Sequence, residues 1–90
     1  MSSVGTGITA QALHERLAEL LLPSRLEVID ESAAHAGHAG AAPGGGTHFR
    51  VRIASPRFAG LSAVARHRLV YDSVRDFLDR GLHALAIETL

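Results

Sequence analysis

Hydrophobic and polar positions along this chain predict the element order helix, strand, strand, helix, strand. The first helix begins after Thr9, whose hydroxyl can cap it, and Pro23 stops it. Its apolar residues recur three or four positions apart, as one buried face requires: Leu13, Leu17, Leu20 and Leu21. Residues 26–31 are predicted to form the first strand, in which Ile29 breaks the strict alternation.

The second strand, 47–54, alternates cleanly between the two faces of a sheet. The inward positions are Phe49, Val51 and Ile53, and the outward positions are His48, Arg50 and Arg52. The second helix is predicted over 62–80, with an apolar stripe of Val64, Val70, Tyr71, Val74, Phe77 and Leu78. Gly81 followed by Leu82 predicts a Schellman end to that helix, and the last strand follows over 83–89.

The connections between the strands predict the topology. The first two strands can pair antiparallel, whereas a right-handed helical crossover makes the second and third strands parallel. We therefore expect an α+β fold of the order αββαβ, with a three-stranded mixed sheet and both helices packed on one face. The length suits one domain, which we place at 9–90 behind a disordered N-terminal segment, 1–8.

Composition narrows the class of protein. The chain has no cysteine, which excludes a disulfide framework and fits a reducing compartment. It has no signal-peptide pattern and no apolar run near the ~20 residues of a membrane span, so we expect a cytoplasmic protein that avoids membranes. Net charge is zero, yet 32–71 holds no acidic residue, and every basic residue of the chain is arginine.

Histidines carry the candidate chemistry. The segment 32–46 is a long loop of mostly Ala, Gly and His, and we expect it to be flexible in the isolated protein. It contains His35 and His38, while His83 opens the last strand. Imidazole is a common metal ligand, but two or three imidazoles without a thiolate make an incomplete site. If they bind metal, the remaining ligands must come from another molecule.

Four separated motifs resemble the BolA family. They are DES at 30–32, THF at 47–49, RFAGLSAVARHRLVY at 57–71 and HALAI at 83–87. The strongest part is the spacing of Phe58, Gly60, Arg66 and His67, followed by a histidine at the head of the last strand. The resemblance covers nearly the whole chain from Leu13 onward. It implies the αββαβ topology related to the class II KH fold, with a short extra turn before the second helix.

The resemblance also implies a partner and a cofactor. In BolA-like proteins, a monothiol glutaredoxin and glutathione hold one side of a 2Fe–2S cluster with their thiolates, and BolA histidines take part in holding the other side. The chain alone would hold no cofactor. The invariant family ligand falls on His83, and the second lies in the loop, where His35 is the closest match and His38 leaves the assignment open. The family is further associated with transcriptional regulation and stress response.

The remaining residues support a non-enzymatic protein, since the sequence suggests neither a nucleophile with its base nor paired carboxylates. Spacing from Val64 and Val70 places His67 on the buried stripe, so we predict a structural role for it, as for Phe58 and Gly60. His14 and His48 are predicted to be exposed, and the sequence assigns them no role.

An alternative function is DNA binding by a transcriptional regulator. Its surface would consist of the arginines in the acid-free part of the chain: Arg50, Arg52, Arg57, Arg66 and Arg68. Against it, the connector 59–62 lacks the GXXG loop by which KH domains clamp a nucleic-acid backbone. For the isolated chain we expect a monomer or a weak homodimer.

Overall fold

The computed structural model describes residues 7–32 and 47–90, and the elements in these ranges follow the predicted order. The predicted second helix is divided in two. The bounds are α1 Ala10–Leu21, β1 Arg25–Asp30, β2 His48–Ala54, α2 Ala63–Ser73, α3 Arg75–Asp79 and β3 Ala84–Thr89. A 3-10 turn, Pro56–Phe58, precedes α2, as the family resemblance implied.

The sheet is the predicted three-stranded mixed sheet. Its strand order is β1-β2-β3, with β1 antiparallel and β3 parallel to β2. The register places Phe49 beside Leu85, and both side chains are buried against the helices. The alternate positions of β2, such as Arg52, lie on the open face of the sheet. The α+β fold with helices on one face is therefore confirmed.

Helix α1 begins and ends as its sequence predicts. The Thr9 hydroxyl accepts a hydrogen bond from the backbone N–H of Ala12 at 3.0 Å, which is the geometry of an N-cap. At the other end, Leu22 adopts a left-handed conformation with φ 46°, and Pro23 follows it. The buried face consists of Leu13, Leu17 and Leu21. Leu20 is exposed, so its assignment to that face was wrong.

The predicted second helix is interrupted at Val74, whose φ of −124° and ψ of 20° are not helical. Two contacts favour this break. The Ser73 hydroxyl donates to the carbonyl of Leu69 at 2.8 Å, an interaction that bends helices. The Ser73 carbonyl accepts instead from Arg16 of α1, at 3.1 Å. Arg16 also forms a bidentate ion pair with Asp76 at the start of α3.

The buried stripe of α2 and α3 is narrower than predicted. Val70, Val74 and Phe77 are buried, but Val64 is 67% exposed and Tyr71 and His67 are also exposed. An α-helix turns 100° per residue, so Val64 lies about 120° around the axis from Val70. Two successive steps of three residues, from Val70 to His67 and on to Val64, therefore move the side chain away from the buried face. His67 is not a core residue, which corrects the prediction that placed it on the buried stripe.

Two glycine turns lie at the C-terminal end of α3 and in the connector before α2. Gly81 has φ 116°, and its N–H donates to the carbonyl of Leu78, while the N–H of Leu82 donates to Phe77; this is the predicted Schellman end. Gly60 has φ 77°, a conformation that favours glycine, and Phe58 is buried. Ile8 is also buried in the core, although it was predicted to belong to the disordered N-terminal segment.

Candidate metal-binding site

His83 lies directly before β3, at the end of the sheet where β2 also begins. Its backbone N–H and that of Ala84 both donate to the carbonyl of Thr47, at 2.8 and 3.0 Å. The His83 side chain is exposed. The backbone of the candidate ligand is therefore fixed by two hydrogen bonds, while its imidazole is accessible to an approaching protein.

A second imidazole lies beside it. The ring centroids of His48 and His83 are 5.4 Å apart, and the ring planes are inclined at 52°. No role was predicted for His48 from the sequence. The sequence did indicate that the two histidines lie close together, because each stands at the amino-terminal end of a strand and the two strands were predicted to be parallel neighbours. Such ends meet at the same edge of a sheet.

Buried polar groups support this end of the sheet. Ser32 and Thr47 are each 5% exposed, and they are the buried polar residues among those described. The Ser32 hydroxyl oxygen accepts the backbone N–H of Thr47 at 3.0 Å and that of His48 at 3.1 Å. Asp30 in turn accepts the N–H of Ser32 at 2.8 Å. The residues that flank the segment 33–46 are thus joined beside His48.

His48 is held by a side-chain contact as well. Its Nδ1 lies 2.9 Å from the hydroxyl oxygen of Thr47, and its ring is half-buried. Thr47 therefore contacts both histidines, the side chain of His48 through its hydroxyl and the backbone of His83 through its carbonyl. His35 and His38, with the rest of the predicted loop up to 46, lie outside the described residues.

The two outward arginines of β2, Arg50 and Arg52, are paired with acidic side chains in three dimensions. Arg50 binds Glu31, the residue directly after β1, at 2.9 Å and Glu88 of β3 at 2.7 Å. Arg52 contacts Glu27 at 3.4 Å and Glu88 at 3.3 Å. The hydrogen bond from Arg50 is the main cause of a lowered pKa at Glu88. Acidic residues from β1 and β3 thus neutralise the outward arginines of β2.

The other predicted arginines divide into two groups. Arg66 donates from Nε to the carbonyl of Leu61 at 3.0 Å, and its guanidinium lies 6.0 Å from the ring centre of Phe58. It therefore helps to hold the connector before α2. Arg57 and Arg68 are exposed on the surface. Three of the five arginines proposed for nucleic-acid binding are already engaged within the chain.

The described residues alone do not form a complete metal site. In the ranges 7–32 and 47–90, no group of three or more His, Cys, Asp or Glu side chains is arranged to hold a metal ion. The described part of the site offers two imidazoles and no thiolate. Within the same ranges, no helix is long and apolar enough to cross a membrane.

Comparisons with known proteins agree with the fold. The family model described as BolA-like protein matches residues 17–90. An uncharacterized Sinorhizobium protein from the cobS 5′ region is 51% identical over 79 residues, which cover 87% of this chain and 85% of that protein. The chloroplastic protein BOLA1 of Arabidopsis thaliana is 48% identical over 80 residues, covering 87% of this chain but only 50% of that relative. The solved BolA domain of SufE1 from Arabidopsis thaliana superimposes with a TM-score of 0.78 at 48% identity, over 89% of this chain and 87% of that one.

Proposed function

The chain belongs to the BolA family, and on this basis we propose that it is an adaptor that binds a monothiol glutaredoxin and shares or transfers its 2Fe–2S cluster. The role would lie in iron–sulfur homeostasis and the stress response. One observation carries the proposal: an exposed imidazole, His83, is held by its backbone at the end of the sheet in a chain without cysteine.

The chemistry of this donor suits a shared cluster. Imidazole can replace thiolate at the iron of a 2Fe–2S cluster, and the replacement raises the reduction potential. Only neutral imidazole coordinates, so a cluster held in this way is released in acid more readily than one held by thiolates. Because this chain offers no thiolate, the sulfur ligands would come from the glutaredoxin cysteine and glutathione.

The fold also supports a contribution from the loop histidines. The segment that carries them starts at Ser32 and returns at Thr47, and Thr47 is bonded to the backbone of His83. Three residues of chain reach about 11 Å at most, which is the distance available between Ser32 and His35. Six residues, up to His38, reach about 22 Å. These reaches allow either histidine to contribute a ligand, and the choice between them stays open.

Cluster transfer tests the proposal. Purified protein is mixed with cluster-loaded monothiol glutaredoxin, and visible absorption and circular dichroism are recorded. The wild-type chain is expected to change both spectra, and His83→Ala to leave the glutaredoxin spectra unaltered. His14→Ala is the matched control, since it removes an exposed imidazole on α1 and should behave as the wild type. If His83→Ala changes the spectra as the wild type does, the proposal fails.

A further inference from the structure

We infer that two copies of this chain associate through the outer edge of β1, in antiparallel register, so that their sheets become continuous. The strand order leaves β1 and β3 as the two edges of the sheet. Among the described residues, no strand pairs with β1 on the side away from β2. An uncovered edge strand presents a row of backbone N–H and C=O groups to which another strand can add. The inference does not depend on the proposed function.

The register of β1 shows which backbone groups face outward. The N–H of Glu31 donates to the carbonyl of His48 at 2.8 Å, beside the last pair of the β1–β2 ladder. Alternation along an antiparallel ladder then directs the backbone groups of Leu26, Val28 and Asp30 away from β2. Strand β1 contains no proline, and its pairing with β2 is uninterrupted over all six residues. The edge therefore presents an unbroken row of donors and acceptors.

The opposite edge, β3, is less suited to pairing. The hydroxyl of Tyr71 on α2 donates to the carbonyl of Leu85 at 3.3 Å, so part of that edge is already bonded within the chain. His83 directly precedes β3, on the far side of the sheet from β1. Pairing through β1 therefore leaves His83 of each copy outside the interface.

Charged side chains select one register. Arg25, Glu27 and Ile29 lie on the open face of the sheet. A twofold axis at Val28 places Arg25 of one copy opposite Glu31 of the other, twice per dimer, and Glu27 opposite Ile29. Moving the axis by one residue in either direction places Glu27 opposite Glu27 or Glu31 of the other copy. Opposite charges across a strand pair are stabilising and like charges destabilising, so the register centred on Val28 is the complementary one of these three.

Both members of this charge pair are accessible. Arg25 is exposed and forms no ion pair with the residues that the structure describes. Glu31 binds Arg50 through Oε2, and a carboxylate can accept a second guanidinium through its other oxygen. Association therefore adds a partner to each without breaking an existing contact.

Apolar side chains lie on both sides of the same edge. Ile29 is 37% exposed on the open face of the sheet. On the helix face, Leu22 is 61% exposed and lines a groove of about 490 Å³ between α1 and β1, together with Ala18 and Leu26. A second copy seated at the edge would cover apolar surface on both faces, which favours association.

Charge exchange tests this register. Sedimentation velocity is measured on the wild-type chain at concentrations up to about 1 mM, which detects weak association, and a reversible monomer–dimer equilibrium is expected. Arg25→Glu and Glu31→Lys each place like charges across both contacts, and each should weaken dimerisation by about tenfold or more. An equimolar mixture of the two variants restores opposite charges at both contacts and should dimerise as the wild type does.

Arg68→Glu is the matched control, because it makes the same change in charge at an exposed position of α2. Alone, it should dimerise as the wild type does. Mixed with Glu31→Lys, it should associate with that variant no better than the wild type does, although its net charge equals that of Arg25→Glu. This comparison separates the contact across the edge from general attraction between oppositely charged proteins.

Cysteine pairing gives a second measurement if Glu31→Lys, which loses its contact with Arg50, is poorly folded. The natural chain has no cysteine. In this register Glu27→Cys and Ile29→Cys face each other with Cα atoms about 4.5 Å apart, within reach of a disulfide. Under mild oxidation their mixture should form a covalent dimer faster than either variant alone, and faster than Ile29→Cys mixed with Arg68→Cys.

Three results would overturn the inference: a wild-type chain that stays monomeric at every concentration, a dimer that Arg25→Glu leaves as stable as before, or cysteine pairing no faster than in the control mixture. Each of these measurements is made on the chain alone. Their failure is therefore distinguishable from failure of the proposed function, which the glutaredoxin experiment tests.

Discussion

Replacing Ser32 by alanine tests the polar cluster that holds the candidate site together. The Ser32 hydroxyl accepts two backbone N–H groups, from Thr47 and His48, in surroundings that leave Ser32 5% exposed. Alanine leaves both donors without that acceptor, and each buried unsatisfied group costs about 1–3 kcal/mol. Partial access of water to the exposed side of His48 lowers the sum, so we expect a loss of about 3 kcal/mol in the free energy of unfolding.

Denaturation monitored by far-UV circular dichroism measures this loss. For a domain of this size, 1 kcal/mol corresponds to a shift of about 4–8 °C in Tm, so Ser32→Ala should lower Tm by roughly 12–24 °C. Ser24→Ala is the matched control, because that hydroxyl is exposed and makes a single bond, to Ala54 at 3.3 Å. It should stay within about 0.5 kcal/mol of the wild type. A Ser32→Ala protein as stable as the control would refute the reasoning.

Three further predictions concern other parts of the chain. The hydrogen bond from Arg16 lowers the pKa of Asp76, so this pair stabilises the fold above about pH 4 and its contribution is lost as the pH falls through the lowered pKa. Asp76→Asn should therefore weaken the pH dependence of the urea unfolding midpoint between pH 6 and pH 2. A variant whose midpoint falls with pH as steeply as that of the wild type would contradict this. Gly60→Ala should cost about 1–2 kcal/mol in urea unfolding from its positive φ alone, since a Cβ there meets no atom within 4 Å; an unchanged midpoint would contradict it. Nucleic-acid binding through Arg57 and Arg68 predicts weak, salt-dependent retention of labelled duplex or single-stranded DNA that alanine at both positions abolishes. Absence of binding at low salt would eliminate that function.

Local patterns predicted the sheet because they act within a few residues. Alternation in 47–54 fixes which side chains of β2 face the core, and the crossover rule fixes the direction of β3. The cap at Thr9 and the Schellman end at Gly81 were predicted for the same reason: each depends on neighbours within six positions. Topology and element order therefore followed from the sequence without knowledge of tertiary contacts.

Features set by distant contacts were not predicted. One of the two contacts that favour the break at Val74 comes from Arg16, 57 positions before the carbonyl of Ser73 that it binds. The ion pairs of Arg50 depend on the alignment of three strands, which brings Glu31 and Glu88 to either side of it. A charge count along the chain cannot show such compensation. The pairing of His48 with His83 required the parallel register, although the position of both residues at strand ends gave a partial signal.

The Ser32 hydroxyl joins the residues that flank the segment 33–46. The structure of the sheet is therefore largely independent of the length of that segment. These hydrogen bonds join the flanking residues, and doubling the length of a flexible connection adds only about 0.6 kcal/mol of closure entropy. Insertions and deletions there are therefore expected to cost little stability. Variation in the length of this segment should leave the pairing of β1 with β2 unchanged.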